Sequence, residues 1–257
     1  MGLSSVEAYG LTHTGLVREL NEDRIYLNEE DKLFVVADGM GGHAAGEIAS
    51  GIAVRAVNEF IIHTRRDREL TWPYAYDDSL TYDGNRLQTA IRLANNRIRE
   101  AVEEDSDYQG MGSTMVSLLV TEDRSTIGSV GDSRVYRYRR NKLELLTSDH
   151  SWVNEQLLEG MLTEEQAKSH PFRNVVTRAL GSDSNVQVDI RSDSIEAEDC
   201  YLLCSDGLSG MIEEEQITGL LAGVAGRGVE TICGELVEAA NKNGGHDNIS
   251  VILVRFA

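Results

Sequence analysis

Five places along this chain of 257 residues set an aspartate against glycine or a tight turn where an apolar run ends. They are Asn21-Glu22-Asp23, Asp38-Gly39-Met40-Gly41-Gly42-His43, Gly131-Asp132-Ser133, Ser205-Asp206-Gly207 and Gly244-Gly245-His246-Asp247-Asn248. Any one of them is the ordinary chemistry of a turn. As a set they say more, because Leu33–Ala37 and Cys200–Cys204 are unbroken apolar runs that each deliver a carboxylate where the chain leaves the interior. If those ends converge, several carboxylates share one small volume. Two like charges ~4 Å apart repel by ~4 kcal/mol at an effective dielectric near 20, so such a cluster calls for a cation. An all-oxygen donor set without Cys or His points to Mg²⁺ or Mn²⁺ rather than zinc. Glycine after Asp38 lets the backbone approach closely and offers the Gly39 carbonyl as one more oxygen.

The elements that must carry these aspartates follow from periodicity. Val6–Leu11, Arg24–Leu27 and Leu33–Ala37 are expected as strands. Helices are expected over Ala44–Arg66 and Asn85–Glu104, each with one apolar stripe, and a loop over Asp67–Gly84. The period then changes, giving strands at Thr114–Val120, Ser125–Val130, Arg134–Arg139 and Leu143–Leu146, with a tight hairpin at Arg140-Asn141-Lys142. Short helices follow at Ser151–Glu159 and Thr163–Ser169, the second with a capping box of Thr163 and Gln166. Strands at Val186–Ile190, Tyr201–Cys204 and Ile249–Arg255 and helices at Glu213–Leu221 and Val229–Asn241 complete the chain. Grouped strands and separately grouped helices argue for a layered α+β fold rather than a parallel βαβ sheet.

Composition narrows the function classes. Forty-one per cent hydrophobic residues, two prolines and no linker-like stretch suit one domain over 1–257. The balance of 24 Lys+Arg against 43 Asp+Glu, a formal charge of −19, repels nucleic-acid phosphates. Cys200, Cys204 and Cys233 form neither a disulfide framework nor a zinc set and read as small core residues. No apolar stretch reaches the ~20 residues of a membrane span, and no signal-peptide core opens the chain, so the cytoplasm is the expected compartment. His63 and His170 read as ordinary structural histidines, His150 and His246 sit inside motifs, and Met40 and Met111 read as packing residues.

Read together, Arg18-Glu-Leu-Asn-Glu-Asp23, Val36-Ala-Asp-Gly-Met-Gly-Gly-His43, Met111-Gly-Ser-Thr114, Val130-Gly-Asp-Ser-Arg134, Leu146-Thr-Ser-Asp-His150, Leu203-Cys-Ser-Asp-Gly207 and Gly245-His-Asp-Asn248 resemble the bacterial PPM (type 2C) protein phosphatases. The motifs come in the family's order from about Gly10 to Val254. The resemblance implies a four-layer αββα sandwich, two antiparallel sheets face to face and flanked by helices, with a metal cluster at one edge. It implies that Asp38 bridges two Mn²⁺ or Mg²⁺ ions, with the Gly39 carbonyl on one and Asp206 and Asp247 on the other. Asp23 corresponds to a ligand, direct or through water, of the ion that Gly39 contacts, and Asp132 to a ligand of a weaker third ion shared with Asp206. Arg18 corresponds to the arginine that grips substrate phosphate, a task suited to its fork of donors. His43 corresponds to the proposed general acid, and 151–173 to a variable flap beside the site. Where relatives often carry Asp, this chain has His13, a change expected to affect only how the Arg18 loop is braced.

The implied reaction is hydrolysis of phosphoserine and phosphothreonine on proteins. Water activated between two cations attacks phosphorus in line while His43 protonates the leaving alkoxide. The implied partners are phosphorylated proteins, chiefly a serine/threonine kinase and its targets, met by a monomer. A phosphatase of a sigma-factor regulator and a non-catalytic phosphoprotein-binding scaffold are the alternatives. Loss of a metal carboxylate would favour the scaffold, and none is lost. A purely structural cation-binding protein leaves Arg18 and His43 without a purpose.

Overall fold

The computed structural model describes residues 6–41, 45–67 and 71–256. The chain opens with strands β1 (Val6–His13), β2 (Arg24–Asn28), β3 (Leu33–Ala37) and the short β4 (Gly39–Met40). Two long helices follow, α1 (Ala45–Arg66) and α2 (Tyr82–Glu104), the latter capped by the Thr81 side chain on the Gly84 N–H. After β5 (Gly112–Ser113) come β6 (Met115–Thr121), β7 (Arg124–Val130), β8 (Arg134–Arg139) and β9 (Lys142–Leu145). Helices α3 (Trp152–Leu158) and α4 (Glu164–Ser169) precede β10 (Asp189–Ser194) and β11 (Cys200–Cys204). Helices α5 (Asp206–Ser209), α6 (Glu214–Leu221), α7 (Val224–Arg227) and α8 (Val229–Lys242) lead into β12 (Ile249–Phe256).

The strands form two five-stranded sheets, β1-β12-β11-β8-β9 and β10-β7-β6-β3-β2, antiparallel throughout. Alternation of side chains across a strand explains why the central strands are apolar at every position. In β3, Phe34 and Val36 face the other sheet, while Leu33, Val35 and Ala37 face α1 and α2. In β11, Tyr201 and Leu203 lie between the sheets, and Cys200, Leu202 and Cys204 lie under α6 and α8. Three apolar layers thus separate four layers of secondary structure, the expected αββα sandwich. The three cysteines are buried thiols, as expected.

Most of the expected elements are present within a residue or three. The hairpin turn is Arg140-Asn141, both left-handed (φ 53° and 62°), and the capping box of Thr163 and Gln166 is formed. One strand is displaced. Val186 and Val188 are buried against the α1–α2 layer but lie outside the ladder, and the strand proper is Asp189–Ser194. As an edge strand it pairs on one side only, with β7, and its polar sequence hides it from a hydrophobic pattern. The two-residue strands β4 and β5, and the single-turn helices α5 and α7, are too short for periodicity to reveal.

Candidate active site

Pairing register decides which strand ends meet. Arg24 pairs with Ala37, so Asp23 before β2 and Asp38 after β3 lie at one edge of their sheet. Cys204 pairs with Val251 and with Arg134, which brings Asp206, Asp247 and the Gly131–Ser133 turn to one edge of the other sheet. The two edges face each other. The Asp206 and Asp38 carboxylates act on each other across the sandwich, and Asp23 Oδ2 accepts from Ser205 Oγ at 2.9 Å. All five aspartates singled out in the sequence are therefore brought together.

Backbone packing holds the turns in place. The Asp38 carbonyl accepts from Thr114 N (2.8 Å) and Ser113 Oγ (3.0 Å), so the Met111–Thr114 motif acts as a clamp on this aspartate. A Cβ on Gly39 would come within 2.0 Å of the Gly46 carbonyl, and one on Gly207 within 2.0 Å of the Asn248 carbonyl. Both positions following the key aspartates therefore require glycine for close approach.

The electrostatics are those of a cluster that lacks enough positive charge of its own. Burial, then the neighbouring carboxylates Asp23, Asp206, Asp132 and Asp247, hold the Asp38 carboxyl well above the usual range. Burial pushes Asp23 up to about 7 despite hydrogen bonds from Ser250 and Ser205. Asp132 is likewise pushed up to about 7 by burial and by the charge of Asp206. Asp206 is raised by burial and by Asp247. One oxygen each of Asp23 and Asp206 is buried without a partner, although native structures satisfy nearly all such atoms. The donors are hard carboxylate oxygens, which suits divalent Mg²⁺ or Mn²⁺. Among the described residues no three such side chains close around one point as they stand. They are turned toward each other and toward the chain: Asp38 to Asp206, Asp23 to Ser205, and Asp247 to Arg18.

Arg18 Nη2 meets Asp247 Oδ2 at 2.8 Å, with about half of its side chain exposed. His13 Nδ1 accepts from the Gly15 N–H at 2.9 Å, which braces the turn leading to Arg18. His43 lies outside the described residues. Met111 is buried, as expected of a packing residue.

Two residues at this edge carry more than sequence reasoning gave them. Asn248, nearly buried, donates through Nδ2 to the carbonyls of Thr14 and Leu20, both at 2.9 Å, and accepts from Glu22 N at 2.8 Å. It ties both ends of the Arg18 loop to the start of β12. Glu22 accepts from the Gly46 N–H at 3.1 Å and is raised by burial. An amide at the last position before a mostly apolar, buried strand was the available signal for Asn248, since a buried amide must find partners.

Comparison with known proteins agrees with this geometry. The model of the family "Protein phosphatase 2C" matches residues 16–251. The serine/threonine phosphatase Stp of Listeria welshimeri is 36% identical over 246 residues, covering 95% of this chain and 93% of that protein. The crystal structure of the Mycobacterium tuberculosis serine/threonine phosphatase PstP superposes with a TM-score of 0.84 at 34% identity, covering 97% and 98% of the two chains. A structure of the PstP catalytic domain in complex with two manganese ions gives 0.82 at 32% identity, covering 98% of each. With its motifs in place and its two sheets carrying them to one edge, the chain belongs to the protein phosphatase 2C family of serine/threonine protein phosphatases.

Proposed function

We propose that the acidic edge holds two divalent cations, Mn²⁺ or Mg²⁺, and that the chain uses them to dephosphorylate proteins modified on serine or threonine. The observation that supports this most is Asp38, surrounded by four other carboxylates and raised far from its ordinary range. Asp38, the Gly39 carbonyl, Asp23, Asp206 and Asp247 would hold the two cations. Asp132, with Asp206, offers a weaker third position. Bound there, the cations supply an activated water and offset charge on the phosphoryl oxygens. The chain's own residues do the rest. Arg18 turns its free donors to the phosphate and orients it, and His43 gives its proton to the departing alkoxide.

The serine/threonine phosphatase names of the relatives support phosphorylated proteins as the substrate class; in this reading a bacterial kinase and its targets supply them to a monomer in the cytoplasm. Among the described residues no helix is long and apolar enough to cross a membrane. The whole of 1–257 acts as one unit in this reading, with 151–173 as a flap that tunes substrate choice. The test is phosphate release from a phosphothreonine peptide, with Mn²⁺ and then with excess chelator. Turnover is expected only with the cation, and full turnover in protein shown by metal analysis to be stripped would overturn the reading.

A further inference from the structure

His150 has no part in the chemistry so far, yet it is the most heavily tied histidine among the described residues. Its backbone N–H donates to the Gly131 carbonyl at 2.9 Å, and its ring Nδ1 accepts from the Gly131 N–H, also at 2.9 Å. The two bonds close a clasp on the residue immediately before Asp132. Because Nδ1 accepts there, the neutral ring carries its proton on Nε2. That nitrogen lies 3.1 Å from Asp189 Oδ2, the first residue of β10. Arg178 Nη1 reaches the other oxygen, Asp189 Oδ1, at 3.0 Å, so two donors share one carboxylate; its 2.9 Å approach to Nε2 is no hydrogen bond once Nε2 carries the proton. The hydrogen bond from His150, with the charge of Arg178, keeps Asp189 below its ordinary range.

The same short segment closes the flap. Trp152 N donates to Val175 O and Thr177 N to His150 O, both at 2.9 Å, while Ser151 and Val176 form an isolated bridge. Asp149, next to His150, receives a two-pronged bond from Arg134 (2.7 to 3.2 Å), and its carbonyl receives Asn154 of α3 at 2.7 Å. The side chain of His150 is 8% exposed. It therefore stands between the turn that carries Asp132 and the two strands of chain by which the flap enters and leaves.

We propose that His150 is a positioning residue with two separable arms: Nδ1 fixes the Gly131–Asp132 turn, and Nε2, through Asp189 and Arg178, fastens the base of the flap. The first arm rests on the reading of Asp132 as a cation ligand; the second does not. Partners of this outer kind typically change metal affinity by about 10–100-fold when removed.

The two arms are separated by amide substitution. His150→Asn sets an amide oxygen near the place of Nδ1, keeping an acceptor for Gly131 but losing the reach to Asp189. His150→Gln sets an amide NH₂ near the place of Nε2 and gives up the Gly131 bond. Mn²⁺ binding by calorimetry reads the first arm. Proteolytic cleavage within 151–176, with the KM for a phosphothreonine peptide, reads the second. His150→Gln is expected to weaken Mn²⁺ binding at the weakest site by about 10-fold or more, leaving flap cleavage close to wild type. His150→Asn and Asp189→Asn are expected to do the reverse, with faster flap cleavage and a higher KM. Equal effects of His150→Asn and His150→Gln on both readouts, or no effect of either, would overturn the proposal. If wild-type protein takes up no Mn²⁺ at all, the cation reading of Asp132 fails, and the proteolysis result still decides the flap arm. Should His150→Asn fold poorly, Asp189→Asn carries that arm alone, and unchanged cleavage there would reject it.

Discussion

Strand β11 has a carboxylate just beyond each of its ends, Asp199 buried and Asp206 half-buried, and the two have opposite surroundings. Asp199, just before Cys200, is fully buried and held by the Arg139 fork, Nε to Oδ1 at 2.6 Å and Nη2 to Oδ2 at 2.5 Å. The Glu196 N–H adds a third bond at 2.8 Å. Asp206, just past Cys204, has one oxygen without a partner and the charges of Asp38 and Asp247 nearby. The first carboxylate has its counter-charge in the chain, so its work is structural. The second faces several carboxylates with only the half-exposed Arg18 against them, an arrangement that costs stability unless a cation enters. A buried aspartate marks a site when its neighbours fail to neutralise it.

The sharpest way to break this contrast is to neutralise each end in turn. Asp206→Asn is expected to abolish turnover on a phosphothreonine peptide and on nitrophenyl phosphate alike. In the absence of divalent cation the same change should raise stability to urea by about 0.5–2 kcal/mol, because repulsion at the edge is relieved. Retained turnover, or a large loss of cation-free stability, would remove the distinction between the two ends. Within the site end, His43→Ala tests the proton donor separately from the ligands. It should slow phosphopeptide hydrolysis by about 10²–10⁴-fold, and nitrophenyl phosphate much less, since nitrophenolate leaves without a proton. Equal losses on both substrates, with cation content unchanged, would rule out that role.

At the other end the expected cost is in folding alone. Asp199→Asn leaves Arg139 facing a neutral amide and should lower stability by about 3 kcal/mol, while the folded fraction keeps wild-type kcat. A reduced kcat in folded protein would show that the two ends are coupled. The smallest effect expected is at His13, which accepts from Gly15 on the way to Arg18. His13→Asp keeps an acceptor there and should change stability by no more than about 0.5 kcal/mol, with KM for phosphopeptide little altered. A marked rise in KM would mean that the ring itself shapes the Arg18 loop.

The fold was legible where burial leaves a strong pattern. Strands β3 and β11 are apolar on both faces because each is covered by a sheet on one side and helices on the other, and helices α1 and α2 show their stripes plainly. Strand β10 was misplaced because an edge strand need satisfy only one neighbour and can be polar. The site was legible as a set of residue types at strand ends, which the motifs turned into a family. Its supporting bonds were not, since Asn248 reaches Thr14 and Leu20 from more than 200 residues away in sequence.

By itself the sequence determined the layered α+β class, the five aspartates, Arg18 and the family they resemble. These follow from local alternation and from residue chemistry, which survive without coordinates. Only the tertiary structure decided which aspartates share one edge and which, like Asp199, are answered by an arginine. It alone showed that His150 clasps Gly131 while Asp189 holds its other face. Sequence states that a charge exists, but whether it is neutralised depends on what the fold brings within a few ångströms of it, where low dielectric makes the interaction strong.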